Sequence, residues 1–456
     1  MFRLLRDAFS CLFSLILISS AAFGAPWPQA PATPVPPPAG ATTKPSGGTG
    51  PSTGTASASL LAGLVKEAAP SEIEGGRAEI GPHYGVSTTD RWSVFGDTSL
   101  RARTVAAGVL ELAHRDLRTR FFRTNPAGGA VVFAENAASA PLIATFADLD
   151  ERAAAVDRTA PAPVILRKRG RPIGVPDEFR LAEFAARRFL DAELPRASPW
   201  VREAISSAFA PATVDEHGKL VIGEPDYWAL PADALGLHRT GFLKDKTIEA
   251  AYDALSERAR FRGVKFAGEL CRMLLRSGDA KLAGLIARLR DGATFDAAFR
   301  AAAAMTPDAL QAAIADHFEN HVSPAIDLRD LKTERQFATF VKHHPDFGRA
   351  RFLLGKSFGT DEPPEDAFTA LRGALADRRF TLRLEAFNAI GAAAFSSDQA
   401  AAVRAYAVAR RLQDVRFDID VAALEAHATL VRATGEKDAA RRMTAELAAM
   451  VAADKR

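Results

Sequence analysis

The chain has 456 residues, with 58 lysines and arginines against 55 aspartates and glutamates, for a net charge of +3. Its 48% hydrophobic and 25% charged residues are a globular composition, which excludes a wholly disordered or fibrous protein. So small a basic excess, scattered apart from Arg167, Lys168, Arg169 and Arg171, excludes a phosphate-tracking nucleic-acid surface. Residues 1–24 have the pattern of a secretory signal. Arg3 and Arg6 precede an uncharged apolar run from Ala8 to Ile18, and Ala22 and Gly24 stand before a cleavage point at Ala25. From Ala8 to Phe23 is 16 residues, short of the ~20 that span a bilayer. Cleavage is therefore expected, giving an exported chain, periplasmic or extracellular, with no membrane span once mature. Cleavage would remove Cys11 and leave Cys271 alone, so no internal disulfide is expected.

Residues 25–59 hold nine prolines and five glycines, one charge (Lys44) and one aromatic (Trp27). Such a segment buries too little apolar surface to offset its ordering entropy, and it reads as a disordered linker. Residues 60–89 read as a short helix (Ser59–Ala69) and a loop (Glu72–Ser87). The pattern becomes globular at Arg91. Arg91–Phe95, Gly129–Phe133 and Val164–Lys168 read as strands, and Leu100–Phe122 carries helical periodicity. Pro176–Leu190 reads as a helix, with another after Pro199. Thr247–His321 is helical almost throughout, with stops at Gly263, Gly278 and Gly292 and caps at Thr294 and Thr306. The expected fold class is α+β and predominantly helical.

The stretch Phe179–Ala210, FRLAEFAARRFLDAELPRASPWVREAISSAFA, followed by DEHGKLVIGEPDYWAL, resembles the core of the gluzincin, or peptidase-MA-like, zinc metallopeptidases. The nearest likeness is to a bacterial exported branch of unassigned substrate. The resemblance spans roughly residues 90–325 and is strongest over 179–230. It implies a peptidase-MA-like (zincin-type) domain over residues 90–330. In that family two histidines of H-E-x-x-H share a helix face and grip zinc, the glutamate between them is the general base, and a glutamate on the next helix is the third ligand. Carried over position by position, the histidines fall on Ala182 and Ala186, the general base on Glu183 and the third ligand on Glu203. Pro199, Trp200, Phe209 and Gly223 also match. Two carboxylates without imidazoles make a poor zinc site, and Arg187 and Arg188 add positive charge beside it. The resemblance therefore implies a former active site, with Glu183 and Glu203 vestigial, no zinc and no other cofactor. A simpler account also fits the two acids. Glu183 precedes Arg187 by four residues, the order of an intrahelical pair, and Glu203 can face solvent on an amphipathic helix.

Other constellations carry less. His317 and His321 are spaced i, i+4 with Glu319 between them, yet they close a helix where imidazolium suits the C-terminal dipole. ARFLLGKS (Ala350–Ser357) fits a loose phosphate-loop pattern but is bulky and helical where that loop needs a flexible turn. Cys271, in ELCRMLL, reads as a core residue.

Residues 331–456 read as helices joined by short turns with a weak repeat. Leu354-Gly355, Phe358, Ala367, Leu371 and Ala374 match the small and large positions of a tetratricopeptide repeat; Ile390-Gly391 recurs 36 residues on, and Ala428, with Gly435 and Ala440, after 37 more. The pattern resembles a degenerate tetratricopeptide-like array of three helix pairs over about 347–454, alongside the plainer reading of a helical bundle without a groove. The expected function is that of an exported, non-catalytic peptidase-like protein with a protein partner bound through 331–456. A divergent hydrolase built on Glu183 and Glu203 and a structural envelope spacer are the alternatives. Oligomeric state is left open.

Overall fold

The computed structural model describes residues 59–135, 139, 143–144, 164–166, 180–225, 232–244, 246–358 and 364–455. The expected signal segment, nearly all of the linker, the basic run at 167–171 and the start of the helix expected from Pro176 lie outside the described residues. No helix among the described residues is long and apolar enough to cross a membrane.

Strand β1 (Lys66–Glu67) leads into helix α1 (Pro70–Glu79), then β2 (Gly85–Thr88) and β3 (Trp92–Gly96). This order corrects the reading of a helix over Ser59–Ala69 with a loop after it. Pro70 suits a first helical turn. Gly76, nominally a breaker, instead makes room for a neighbour, since a Cβ there would lie 2.2 Å from the Tyr84 ring. Helix α2 (Leu100–Arg120) follows, started by the Ser99 side chain accepting from the Ala102 amide. It crosses to β4 (Gly129–Ala134), and β5 (Val164–Leu166) completes a five-stranded sheet in the spatial order β1 to β5. The first three strands are antiparallel and the last three parallel. Period-two alternation divides the side chains between the two faces. Trp92, Val94, Val131 and Phe133 join the large core with α2; Phe95, Ala130, Val132 and Ala134 pack with Ile73 and Tyr84 on the other side. Burial of both faces is what adjoining parallel strands demand.

Helix α3 (Leu181–Glu193) packs on α2, and α4 (Pro199–Ser207) packs on α3. A two-stranded hairpin, β6 (Thr213–Val214) with β7 (Leu220–Val221), precedes α5 (Ala232–Arg239) and α6 (Ile248–Asp253). Helix α7 (Glu257–Ser277) is the apolar axis of this part and packs against α4, α5 and α8 (Asp279–Arg290). Gly263 lies inside α7 and does not end it; a Cβ there would meet Tyr252 and Leu255 at 2.8 Å. Gly278 and Gly292 do fall at helix ends, and the expected caps are present, with the Thr294 and Thr306 side chains starting α9 (Phe295–Ala303) and α10 (Pro307–His317). One π-helical turn, Phe318–Val322, joins α10 to α11 (Ser323–Asp327).

Helix α12 (Glu334–His343) begins with a capping box from Thr333 and Gln336. Ala325, Leu328, Phe337, Phe340, Phe347 and Ala350 form one hydrophobic cluster that runs straight across residue 330, the expected domain boundary. Three consecutive helix pairs follow: α13 (Gly348–Ser357) with α14 (Pro364–Ala376), α15 (Arg383–Ala394) with α16 (Gln399–Gln413), and α17 (Val421–Ala433) with α18 (Lys437–Lys455). Each pair also touches the next. Gly355 is pressed by Leu371, and Gly391 by the Tyr406 ring, at 2.6 and 2.7 Å from where a Cβ would stand. The described residues all fall in one unit of the chain, Ser57–Arg169 with Val175–Arg456.

Candidate functional site

The apolar residues of α3 recur every three or four positions, and this periodicity buries Ala182 and Ala186 at 1% and 0% exposure among Leu181, Phe189 and Leu190. The two alanines share a helix face, one turn apart, as their spacing requires, but that face is packed core. Glu183, on the flank, is half-buried and accepts from Arg180 at 3.3 Å. Arg187 is exposed. Glu203 on α4 is exposed and lies near the Tyr252 phenol. Burial raises that phenol above its usual range, Arg260 opposes the rise, and the charges of Glu203 and Asp253 add to it. Trp200 stacks on Tyr252 with ring centroids 4.4 Å apart and lies 5.5 Å from Phe295. The structure thus places Ala182 and Ala186 together in the core, and gives Glu183 and Glu203 separate surroundings nearer the surface. Among the described residues, no group of three or more histidine, cysteine, aspartate or glutamate side chains could hold a metal ion.

The histidine pair behaves differently from a charged helix end. His317 is buried, with Nε2 3.4 Å from Glu269, and burial pushes its imidazole well below the usual range. His321, in the π-helical turn, receives the Arg276 guanidinium on Nδ1 at 2.8 Å. Burial first, then Arg276 and His317, drives its pKa down to about 3. Both shifts favour the neutral imidazole over the imidazolium that the helix dipole would suit. Cys271 is a fully buried core thiol whose pKa is raised by burial. ARFLLGKS lies in α13, so no phosphate-binding turn forms there.

A buried polar chain starts at this histidine. Burial raises the Glu269 carboxyl, but Arg272 and His317 hold it below the usual carboxylate range. Arg272 donates to the carbonyls of Ser207, Ala210 and Glu224 at 2.8–3.0 Å. The Glu224 carboxylate receives Arg349 Nε at 3.2 Å, the Thr381 amide at 3.1 Å and the Thr381 hydroxyl. The chain runs from α10 through α7 to the segment after β7, and on to α13 and the α14–α15 loop. Sequence reasoning missed it. The available signal was a glutamate and an arginine three residues apart inside the apolar helix 264–275.

Beside this chain is a cleft of about 1320 Å³, walled by the β6–β7 hairpin and the start of α8 on one side and by α13, α14 and the loop to α15 on the other. Its charges are largely consumed in pairs. Arg120 is held by Asp116 and Asp279 at 2.8 Å, Arg379 by Asp377 at 3.0 Å, and Arg383 by Glu216 at 2.8 Å. Lys219 and Arg378 stand exposed on the wall. Among the described residues, no histidine, cysteine or serine lines it. A wall of paired guanidiniums and carboxylates offers hydrogen bonds and steering charge. No family model, no curated protein and no solved structure matches this chain.

Proposed function

We propose that this chain is an exported, non-catalytic relative of the gluzincin peptidases that acts by binding a protein segment, in the cell envelope or outside the cell. The observation that carries the reading is the burial of Ala182 and Ala186. Where the family would place zinc-binding imidazoles, this chain has two methyl groups closed into a packed core. Glu183, the residue in the general-base position, is instead tied to Arg180. A zinc site needs deprotonated ligands converging on one point, and two carboxylates in separate surroundings do not supply that.

The helix pairs support the binding half of the proposal. Gly355 and Gly391 are 36 residues apart, each pressed by a large side chain of its partner helix, and Ala428 follows 37 later. This is the small-against-large contact of a tetratricopeptide-like array, and stacked pairs of that kind present extended surfaces to polypeptides. The cleft beside the array has the volume and the polar wall for an extended segment.

Metal content and peptidase activity test the reading together. Dialysed protein should hold no stoichiometric zinc by mass spectrometry, and Glu183→Gln should leave hydrolysis of a mixed peptide library at the level of a blank. One equivalent of zinc, or a hydrolytic activity lost in Glu183→Gln, would replace this proposal with that of a divergent peptidase working through Glu183 and Glu203.

A further inference from the structure

A second cavity, of about 400 Å³, lies where the first turn of α2 meets the β1–β2 edge of the sheet, far in character from the cleft described above. Its lining includes Arg77, Arg103, Glu67 and His83. The first turn of α2 carries no acidic residue, and Arg101 and Arg103 lie close behind Ser99. Cations there oppose the positive end of a helix dipole and need compensation. Arg101 has it: its Nη2 donates to the Gln413 and Arg416 carbonyls at 2.6 and 2.9 Å.

Arg103 is compensated only in part. Its side chain is 2% exposed, yet its nearest carboxylate oxygen, on Glu67, stands 3.7 Å away on a side chain 41% exposed. Nη1 donates to the His83 and Thr98 carbonyls, and Nε has no hydrogen-bond partner. A buried guanidinium carries five donors, and leaving its charge without close pairing is costly. The fold nevertheless makes room for it. A Cβ on Gly85 would come within 2.3 Å of Arg103 Nη2, so the strand keeps a glycine where the guanidinium lies. Arg77, anchored through Nε to the Tyr84 carbonyl at 3.2 Å, brings a second guanidinium to the same cavity.

We propose that this cavity binds the carboxylate or phosphate group of a small molecule between Arg103 and Arg77, with Glu67 turning out to solvent as the ligand enters. Two guanidiniums match the planar, bidentate geometry of an oxyanion, and the volume lies in the range of small-molecule pockets. Glu67 is then the weak internal occupant that the ligand displaces. The inference is independent of the peptidase kinship.

Titration calorimetry on the full chain tests it, with inorganic phosphate and succinate as probes against sodium chloride at equal ionic strength. Saturable binding of at least one probe is expected, and which one saturates distinguishes a phosphoryl from a carboxylate ligand. Arg77→Gln, at a half-buried position, should weaken it at least tenfold without loss of circular dichroism. Glu67→Gln, which removes the competing carboxylate, should tighten it several-fold. If Arg103 variants fail to fold, these two substitutions still decide the matter. No binding of either anion above chloride, or unchanged affinity in Arg77→Gln, overturns the proposal.

Discussion

Ala182 and Ala186 have almost no accessible surface, so an imidazole at either position has to displace Phe189, Leu190 or their neighbours. Overpacking of a filled core costs about 1–3 kcal/mol per site. Ala182→His and Ala186→His should each lower the urea midpoint accordingly, and the double variant should lie lower than either. A double variant as stable as the parent would show that a cavity adjoins this face and would revive a metal-binding reading of α3. The alanine spacing was legible in the sequence, and so was the flanking position of Glu183. What sits opposite the two methyl groups was not, because those neighbours come from elements separated in sequence and nothing in α3 itself encodes them.

Helix pairs are held by contacts that a single-residue change can reverse in sign. Gly284 in α8 has nothing within 4 Å of the place a Cβ would take, whereas the same atom on Gly391 would meet the Tyr406 ring at 2.7 Å. Alanine is a better helix former than glycine by roughly 1 kcal/mol. Gly284→Ala should therefore raise the melting temperature, while Gly391→Ala should lower stability by about 1–3 kcal/mol through overpacking. Thermal melts of the two variants side by side check the pair, and equal shifts in the same direction would contradict this packing. Gly355 and Gly391 stood out in the sequence because a small residue recurred at a repeat-like interval. Gly263 was misread because a glycine that makes room for a ring has the same local signature as one that breaks a helix. A second recurrence also went unseen. Phe347, Phe380 and Phe417, spaced 33 and 37 apart, are all buried in the segments leading to α13, α15 and α17.

At the scale of the molecule, the last of those segments reaches the sheet, and α18 packs on α2. Phe417 lies 5.0 Å from Phe133 of β4, and Val415 and Phe417 belong to the same core as Trp92. Arg383 grips Glu216, and Glu224 receives Arg349 and Thr381. Glu224→Ala removes the carboxylate that receives the buried Arg349 guanidinium and the Thr381 amide, and breaking a buried pair costs about 3–5 kcal/mol. Full-length protein should unfold in one transition, with circular dichroism and tryptophan fluorescence coincident, and Glu224→Ala should lower its midpoint. Two separated transitions in the parent would mean that the pairs and the sheet fold independently. The helical class could be read from composition and periodicity, but the union of the two parts could not, because it rests on contacts between segments far apart in the chain.

The same union sets an order of events in time. Leu60 donates its amide to Asp414 across 354 residues, and Arg101 reaches the Gln413 carbonyl across 312. Ribosomes add ~5–20 residues per second, so roughly 20–70 s separate the synthesis of Leu60 from that of its acceptor. Throughout that interval the entry to α2 and the face of the sheet that carries Phe133 wait without these partners. Contacts of such long range are slow to form as well as late to arrive. The last third of the chain therefore closes on the first, and a chain ending before residue 413 lacks the acceptors of both Leu60 and Arg101.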